Sequence, residues 1–332
     1  MKRQKHLLEI KNLKTWFHTF EGTAKAVDDV SLYLDKNEVL GIVGESGCGK
    51  SVTAQSIMRL IPEPPGEIVN GSILFDNLDL TQLSMDKMRT IRGDRIAMIF
   101  QEPMSSLNPV FTIGDQIGEM FMLHMKLSRK EALQNAEQML VKVQIPAPDK
   151  RIHEFPHQLS GGMRQRVMIA MALSCNPEIL IADEPTTALD VTVQAQIIDL
   201  MMQIKEDFNA AIMLITHDLG VISETADRVI VMYAGEVVEE ASTEQLFDSP
   251  KHPYTQGLLK SVPRPGMREK AGRNRLQEIP GLVPSLYNLP VGCNFSPRCK
   301  NATDICRNKK PQLSTINGGR KTRCWLWDKL CC

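Results

Sequence analysis

Near the N-terminus stand Gly44, Glu45, Ser46, Gly47, Cys48, Gly49, Lys50 and Ser51, in the spacing G-x-x-x-x-G-K-[ST]. Glycines leave backbone N–H groups bare, and N–H groups at a helix start attract phosphate oxygens. The lysine after the last glycine brings charge to terminal phosphates, and the hydroxyl that follows it can ligate Mg²⁺. The motif lies between the apolar run "VLGIV" and a helical pattern entered through Val52, where a phosphate-binding loop belongs.

A second segment, "ILIADEP", is an apolar strand pattern ending in Asp183 and Glu184. A phosphate-loop enzyme needs an acid at a neighbouring strand end to hold Mg²⁺, and a base to orient the attacking water. Asp183 fits the first role and Glu184 the second, although two acids after a strand also suit a plain helix start. The third segment, "LSGGMRQR", places Ser160, Gly161 and Gly162 at the opening of a helix striped by Met163, Val167 and Met171. Such a start can receive an anion or be an ordinary capped terminus.

Taken together, these segments resemble the ATP-binding subunits of ABC transporters, whose signature is LSGGQ; here Met163 occupies the last position. The resemblance implies more roles. Gln101 in "IFQEP" matches the glutamine that senses Mg²⁺ and the transmembrane partner, so Ser51, Gln101 and Asp183 would serve the ion. "TTALD", ending at Asp190, matches the D-loop, and His217 in "LITHD" matches the residue that contacts the γ-phosphate. An aromatic that stacks on adenine is expected ahead of the loop, at Phe20, with Phe17 and Trp16 as alternatives. Two such domains pair head-to-tail in this family, each ATP lying between one phosphate loop and the other domain's signature. A second ATPase subunit, identical or paralogous, is therefore implied.

These residues need a scaffold. "VLGIVG", "RIAMIF", "EILIAD" and "AIMLIT" are short continuous apolar runs, as in strands buried on both faces of a parallel sheet. "VSLYLD" alternates, as does "LLEIKNL", which predicts an antiparallel sheet at the start. Val193, Ile197, Leu200, Ile204 and Phe208 recur at helical spacing, predicting a crossover helix. The fold class expected is α/β: a phosphate-loop NTPase core with a mixed sheet, an N-terminal antiparallel subdomain, an inserted helical subdomain and a loop-rich C-terminal extension. The expected boundaries are 1–102 with 163–247 for the core, 103–162 for the helical insertion, read as starting near Pro103, and 248–332 for the extension.

Composition narrows the function. Lys plus Arg and Asp plus Glu both total 39, so no global field draws nucleic acid or an anionic membrane. No apolar run approaches the roughly 20 residues of a membrane helix, and the basic start lacks the apolar stretch of a secretory signal. A cytosolic chain is expected, with any membrane role exercised through partners. The span from Gln101 to Ser160 holds no long heptad array and the chain has one phosphate loop, which disfavours the DNA-repair and translation classes of this ATPase group.

The last stretch is "SPKHPYTQGLLKSVP" followed by "IPGLVPSLYNLPVGCNFSPRC". It closely resembles the extension of dipeptide, oligopeptide and nickel importer ATPases. That resemblance implies ATP-driven import through two permease subunits at the cytoplasmic face of the membrane, fed by an extracytoplasmic binding protein. Nickel import, or a redox- or iron-responsive ATPase outside transport, are the alternatives. Cys293, Cys299, Cys306 and Cys324 are spaced C-x5-C-x6-C-x17-C; four thiolates suit Zn²⁺ or an iron–sulfur cluster, or can be unliganded or oxidised. The resemblance favours a [4Fe–4S] cluster. Cys331 and Cys332 read as a fraying end, and Cys48 and Cys175 as packing residues.

Overall fold

The computed structural model describes residues 6–101, 106–187, 189–261 and 278–329. Pro103, Ala188 of "TTALD", the "VPRPG" stretch, Cys331, Cys332 and the side chain of Ile204 lie outside the described residues. Strands run Leu8–Thr19 (β1), Gly22–Leu34 (β2), Val39–Val43 (β3), Gly66–Phe75 (β4), Leu78–Asp79 (β5), Ile96–Ile99 (β6), Ile179–Asp183 (β7), Ala211–Ile215 (β8), Arg228–Tyr233 (β9), Glu236–Ser242 (β10), Ser314–Thr315 (β11) and Lys321–Thr322 (β12). The helices used below are Lys50–Ile57 (α1), Met85–Ile91 (α2), Ile113–Met125 (α3), Arg129–Lys142 (α4), Gly161–Leu173 (α5), Val191–Phe208 (α6), Leu219–Thr225 (α7), Thr243–Asp248 (α8) and Pro253–Ser261 (α9). The chain divides into two compact units.

The first unit comprises Met1–Leu8, Leu34–Val39 and Phe75–Ile215. Its sheet is parallel: β6 pairs with β7 and β7 with β8, and every residue of the three strands is buried. This is why they read as unbroken apolar runs. Helices α3 and α4 lie side by side and both touch α5. Thr112 caps α3, and Ser128 with Glu131 closes a capping box on α4, so each start is set by local hydrogen bonds. In α6, Ile197 and Leu200 are buried and Val193 half-buried, as the helical spacing predicts.

The second unit comprises Glu9–Tyr33, Leu40–Leu74 and Thr216–Cys332. Strands β2, β1 and β4 are neighbours in one sheet, and Val30, Leu32 and Leu34 point inward as their alternation requires. In the other sheet β3 runs parallel to β9, β9 antiparallel to β10, and the short β12 adds to β10. The tail is mostly irregular, and its longest departure from the loop reading is α9, nine helical residues starting at Pro253, a residue whose fixed φ suits a first helical turn. A short helix at Asp304–Asn308 and the strands β11 and β12 also depart from it.

The tail is anchored by charge. Glu236, Glu239 and Glu240 on β10 are buried, and each meets cations brought by the tail. Lys310 and Arg323 reach Glu236 at 2.8 and 3.3 Å, Arg320 reaches Glu239 at 3.3 Å, and Lys321 reaches Glu240 at 3.0 Å. Buried carboxylates are tolerated when paired and hydrogen-bonded in this way. Among the described residues no helix is long and apolar enough to cross a membrane.

Candidate functional site

In the second unit, β3 delivers the chain into the loop Gly44–Ser51, and α1 begins at Lys50. Gly44 and Gly49 have φ of 155° and 101°, and a β-carbon at either would strike a carbonyl oxygen, that of Met232 or of Ala26. Positive φ and close backbone approach together demand glycine at both. No side chain caps α1, whose start is therefore built of backbone groups, as an anion site requires. Lys50 is buried and its Nζ donates to the carbonyl oxygens of Gly44 at 2.8 Å and Glu45 at 3.3 Å, folding the ammonium over the loop. Thr15 and Ser56 join β1 to α1 through a buried hydroxyl pair at 2.8 Å. Cys48 is a buried thiol whose pKa is raised by that burial, in keeping with a packing role.

Two side chains outside the motif hold Glu45. The Tyr254 hydroxyl accepts its N–H at 2.9 Å, and Arg298 forms a two-pronged ion pair with its carboxylate. Sequence reading missed both: they lie 209 and 253 residues away, and no spacing rule connects them to the loop.

His217 is exposed on the turn between β8 and α7. The turn is fixed by Asp218, which donates its N–H to Thr216 Oγ1 and caps α7 through the N–H groups of Gly220 and Val221. Phe20 stands 98% exposed at the β1–β2 turn. Trp16 is covered by the ammonium groups of Lys25 and Lys14, and Phe17 is half-buried, so Phe20 is the ring most available for stacking.

In the first unit, β7 ends in Asp183, which is buried, and Glu184 follows with φ of 47°. A left-handed conformation is costly for a glutamate and is the kind of strain that clusters at functional sites. It is held by the Glu184 N–H bond to Ile215 O at 2.8 Å. Glu184 Oε2 accepts from Gln101 Nε2 at 3.1 Å and from Thr187 Oγ1 at 2.9 Å. Register between parallel β6 and β7 explains the meeting of residues 83 positions apart. Thr187 is a further site residue that the sequence reading passed over inside "TTALD".

Ser160 is exposed and caps α5, its hydroxyl accepting the Met163 N–H at 3.4 Å. Gly161 is exposed, whereas Gly162 is also a packing residue: a β-carbon there would lie 2.8 Å from Val193 Cγ1 on α6. Asp190 caps α6 through the Val193 N–H at 2.9 Å. Of the predicted stripe Val167 is buried, while Met163 and Met171 are half-buried; Met168, Ile169, Ala170 and Leu173 are buried too, so α5 is covered round most of its circumference.

The tail cysteines are gathered by backbone bonds. Cys293 N–H donates to Cys306 O at 2.8 Å, Ala302 N–H to Cys299 O at 3.2 Å, and β12 leads directly into Cys324. All four are free thiols. Burial pushes Cys293 up to about 12 and Cys324 to about 11, the neighbouring thiols adding to both shifts, and the Leu326 N–H points at Cys324 Sγ from 3.4 Å. Among the described residues, however, no group of three or more His, Cys, Asp or Glu is arranged to hold a single metal ion. The four thiols expected to hold a [4Fe–4S] cluster, with zinc as the alternative, therefore do not form a recognisable metal site among the described residues.

Comparison with known proteins agrees with this geometry. The profile of the ABC transporter family matches residues 27–187, and that of the oligopeptide/dipeptide transporter C-terminal region matches residues 238–306. A probable peptide ABC transporter ATP-binding protein of Sinorhizobium fredii is 53% identical, across 96% of this chain and 94% of the relative. The oligopeptide transport ATP-binding protein AppD of Bacillus subtilis is 52% identical, with 97% of both chains covered. Among solved structures, the dimeric post-hydrolysis ATP-binding cassette MJ0796 bound to ADP and Pi is similar at TM-score 0.64 and 30% identity, over 71% of this chain and 98% of that one. With its phosphate loop, acid-ended strand and signature helix in one chain, the protein belongs to the ATP-binding subunits of the ABC transporter family.

Proposed function

We propose that the chain hydrolyses ATP to drive import of dipeptides or oligopeptides, as one ATPase of a transporter whose membrane path is formed by two permease subunits. The observation that carries this reading is the oligopeptide/dipeptide C-terminal region at 238–306, downstream of the ATPase match at 27–187 in the same chain. In this reading the core is 1–102 with 163–247, the helical insertion 103–162 and the extension 248–332; only the presence of a C-terminal extension draws support from the match at 238–306. A second ATPase subunit completes each nucleotide site, and the pair works at the cytoplasmic face of the membrane beneath an extracytoplasmic binding protein.

In this reading the loop amides from Gly44 to Ser51 and Val52 cradle the phosphates, Lys50 and His217 address the γ-phosphate, and Phe20 stacks on adenine. Ser160, Gly161 and Gly162 serve the partner's nucleotide, with Asp190 at the dimer contact. Hydroxyl, carboxamide and carboxylate oxygens from Ser51, Gln101 and Asp183 are the hard donors that Mg²⁺ prefers. The ion supplies charge neutralisation of the phosphates. Glu184 orients the attacking water and takes its proton, and the Gln101 and Thr187 bonds hold its carboxylate for that task.

For the tail we infer a [4Fe–4S] cluster on Cys293, Cys299, Cys306 and Cys324, with zinc as the alternative. What supports it is four cysteines in one short extension, neighbouring thiols that add to the raised pKa of Cys293, and a backbone N–H at Cys324 Sγ.

Two measurements test this. Purified chain is combined with its permeases in lipid vesicles, and entry of labelled dipeptides, oligopeptides and nickel is followed with ATP inside the test compartment. Peptide entry supports the proposal; entry of nickel alone replaces the substrate. Iron, sulfide and zinc are then measured after anaerobic purification. About four irons and four sulfides, lost in Cys299→Ser, support the cluster; one zinc per chain discards it.

A further inference from the structure

We infer that Arg298, in the C-terminal extension, is a positioning residue of the phosphate loop that also cancels a carboxylate the loop carries beside its anion site. Glu45 is the second residue of the loop, and a carboxylate so close to bound polyphosphate repels it. Arg298 meets that carboxylate with both prongs: Nη1 to Oε2 at 2.6 Å and Nη2 to Oε1 at 3.0 Å.

The guanidinium is itself fixed. Its Nε donates to Pro280 O at 3.0 Å, Nη2 also donates to Ile279 O at 3.2 Å, and Nη1 also reaches the Tyr233 hydroxyl at 3.4 Å. The side chain is 4% exposed. A planar fork held by backbone carbonyls on one edge and a carboxylate on the other has one orientation, which lysine cannot reproduce. It issues from the turn just before Cys299, closed by the Arg298 N–H bond to Phe295 O at 3.0 Å. Phe295 packs edge-on to Tyr233 and near Tyr254, the residue that holds the Glu45 N–H. Backbone and carboxylate of Glu45 are thus both held by residues that come after the ATPase motifs.

The consequence is specific. Without Arg298 the Glu45 carboxylate is released, still charged, next to the phosphates; making residue 45 neutral removes the reason for the loss. The test is equilibrium titration of the full-length chain with a fluorescent ATP analogue, together with steady-state ATPase kinetics. Arg298→Ala is expected to raise Kd about tenfold or more, the scale of one lost close charge pair. Arg298→Lys should fall between wild type and Arg298→Ala. The double variant Glu45→Gln, Arg298→Ala should recover most of the affinity, with the effect carried by KM more than by kcat. Wild-type affinity in Arg298→Ala overturns the inference. So does a double variant as weak as Arg298→Ala, since the arginine would then act only by holding the tail together. If Arg298→Ala does not fold, Arg298→Lys is compared with Glu45→Gln, Arg298→Lys, and the absence of recovery is again decisive against it.

Discussion

Gln101 Nε2 lies 3.1 Å from Glu184 Oε2, so a residue following β6 restrains the carboxylate that follows β7. Glu184→Gln keeps the size of the side chain and removes its ability to take a proton. ATP binding is expected to persist while hydrolysis falls at least about a hundredfold, and ATP should then hold the ATPase pair closed. Single-turnover hydrolysis and size-exclusion chromatography with ATP check this; unchanged turnover would remove Glu184 from the proton-accepting role.

Gly49→Ala places a β-carbon against the Ala26 carbonyl oxygen at a φ of 101°. The loop must shift or unwind to relieve it, and strain of this kind is worth about 1–3 kcal/mol. Nucleotide affinity is expected to drop about tenfold or more, with the melting temperature falling as well. Calorimetric titration with ATP distinguishes this from an unaffected loop.

Arg320→Leu leaves Glu239 buried with its two N–H donors, Lys251 at 2.6 Å and His252 at 2.8 Å, but without its cation. Losing one partner of a buried pair costs about 3 kcal/mol or more. Urea unfolding of the variant should show that loss. Replacing Glu239 by Gln in the same chain should restore part of it, because no charge then remains unmatched.

Burial holds the imidazole of His252 down to about 3, below its ordinary 6.5, with Nδ1 accepting the Tyr254 N–H. A depressed pKa favours the folded state above pH 6.5 and loses that contribution as pH falls toward 3, since unfolding then takes up a proton. The expected slope is about 1.4 kcal/mol per pH unit over that window. Unfolding midpoints measured from pH 7 to pH 5 in wild type and His252→Asn check it: the variant should lose this component of the slope.

The parts of the fold that were legible in sequence are those governed by local rules. The runs "ILIA" and "AIMLI" are apolar throughout because both faces of a parallel strand are covered, and Val30, Leu32 and Leu34 alternate because one face of their strand is not. The phosphate loop was legible because its chemistry needs glycines and a lysine at fixed offsets. Thr187 was overlooked because nothing in "TTALD" says which hydroxyl turns toward Glu184. Gly162 was read for anion contact alone, whereas its closeness to Val193 is a fact about two helices packing.

By itself, the sequence determined which groups could bind and cleave a phosphate anhydride, and the order of strands and helices that carry them. Only the tertiary structure decided that Arg298 and Tyr254 hold Glu45, that tail cations neutralise the buried acids of β10, and that Gln101 restrains Glu184. The reason is physical. Spacing along the chain records backbone geometry and burial periodicity, which are local, whereas a charge finds its counter-charge across hundreds of residues only once strand register and packing have fixed both ends.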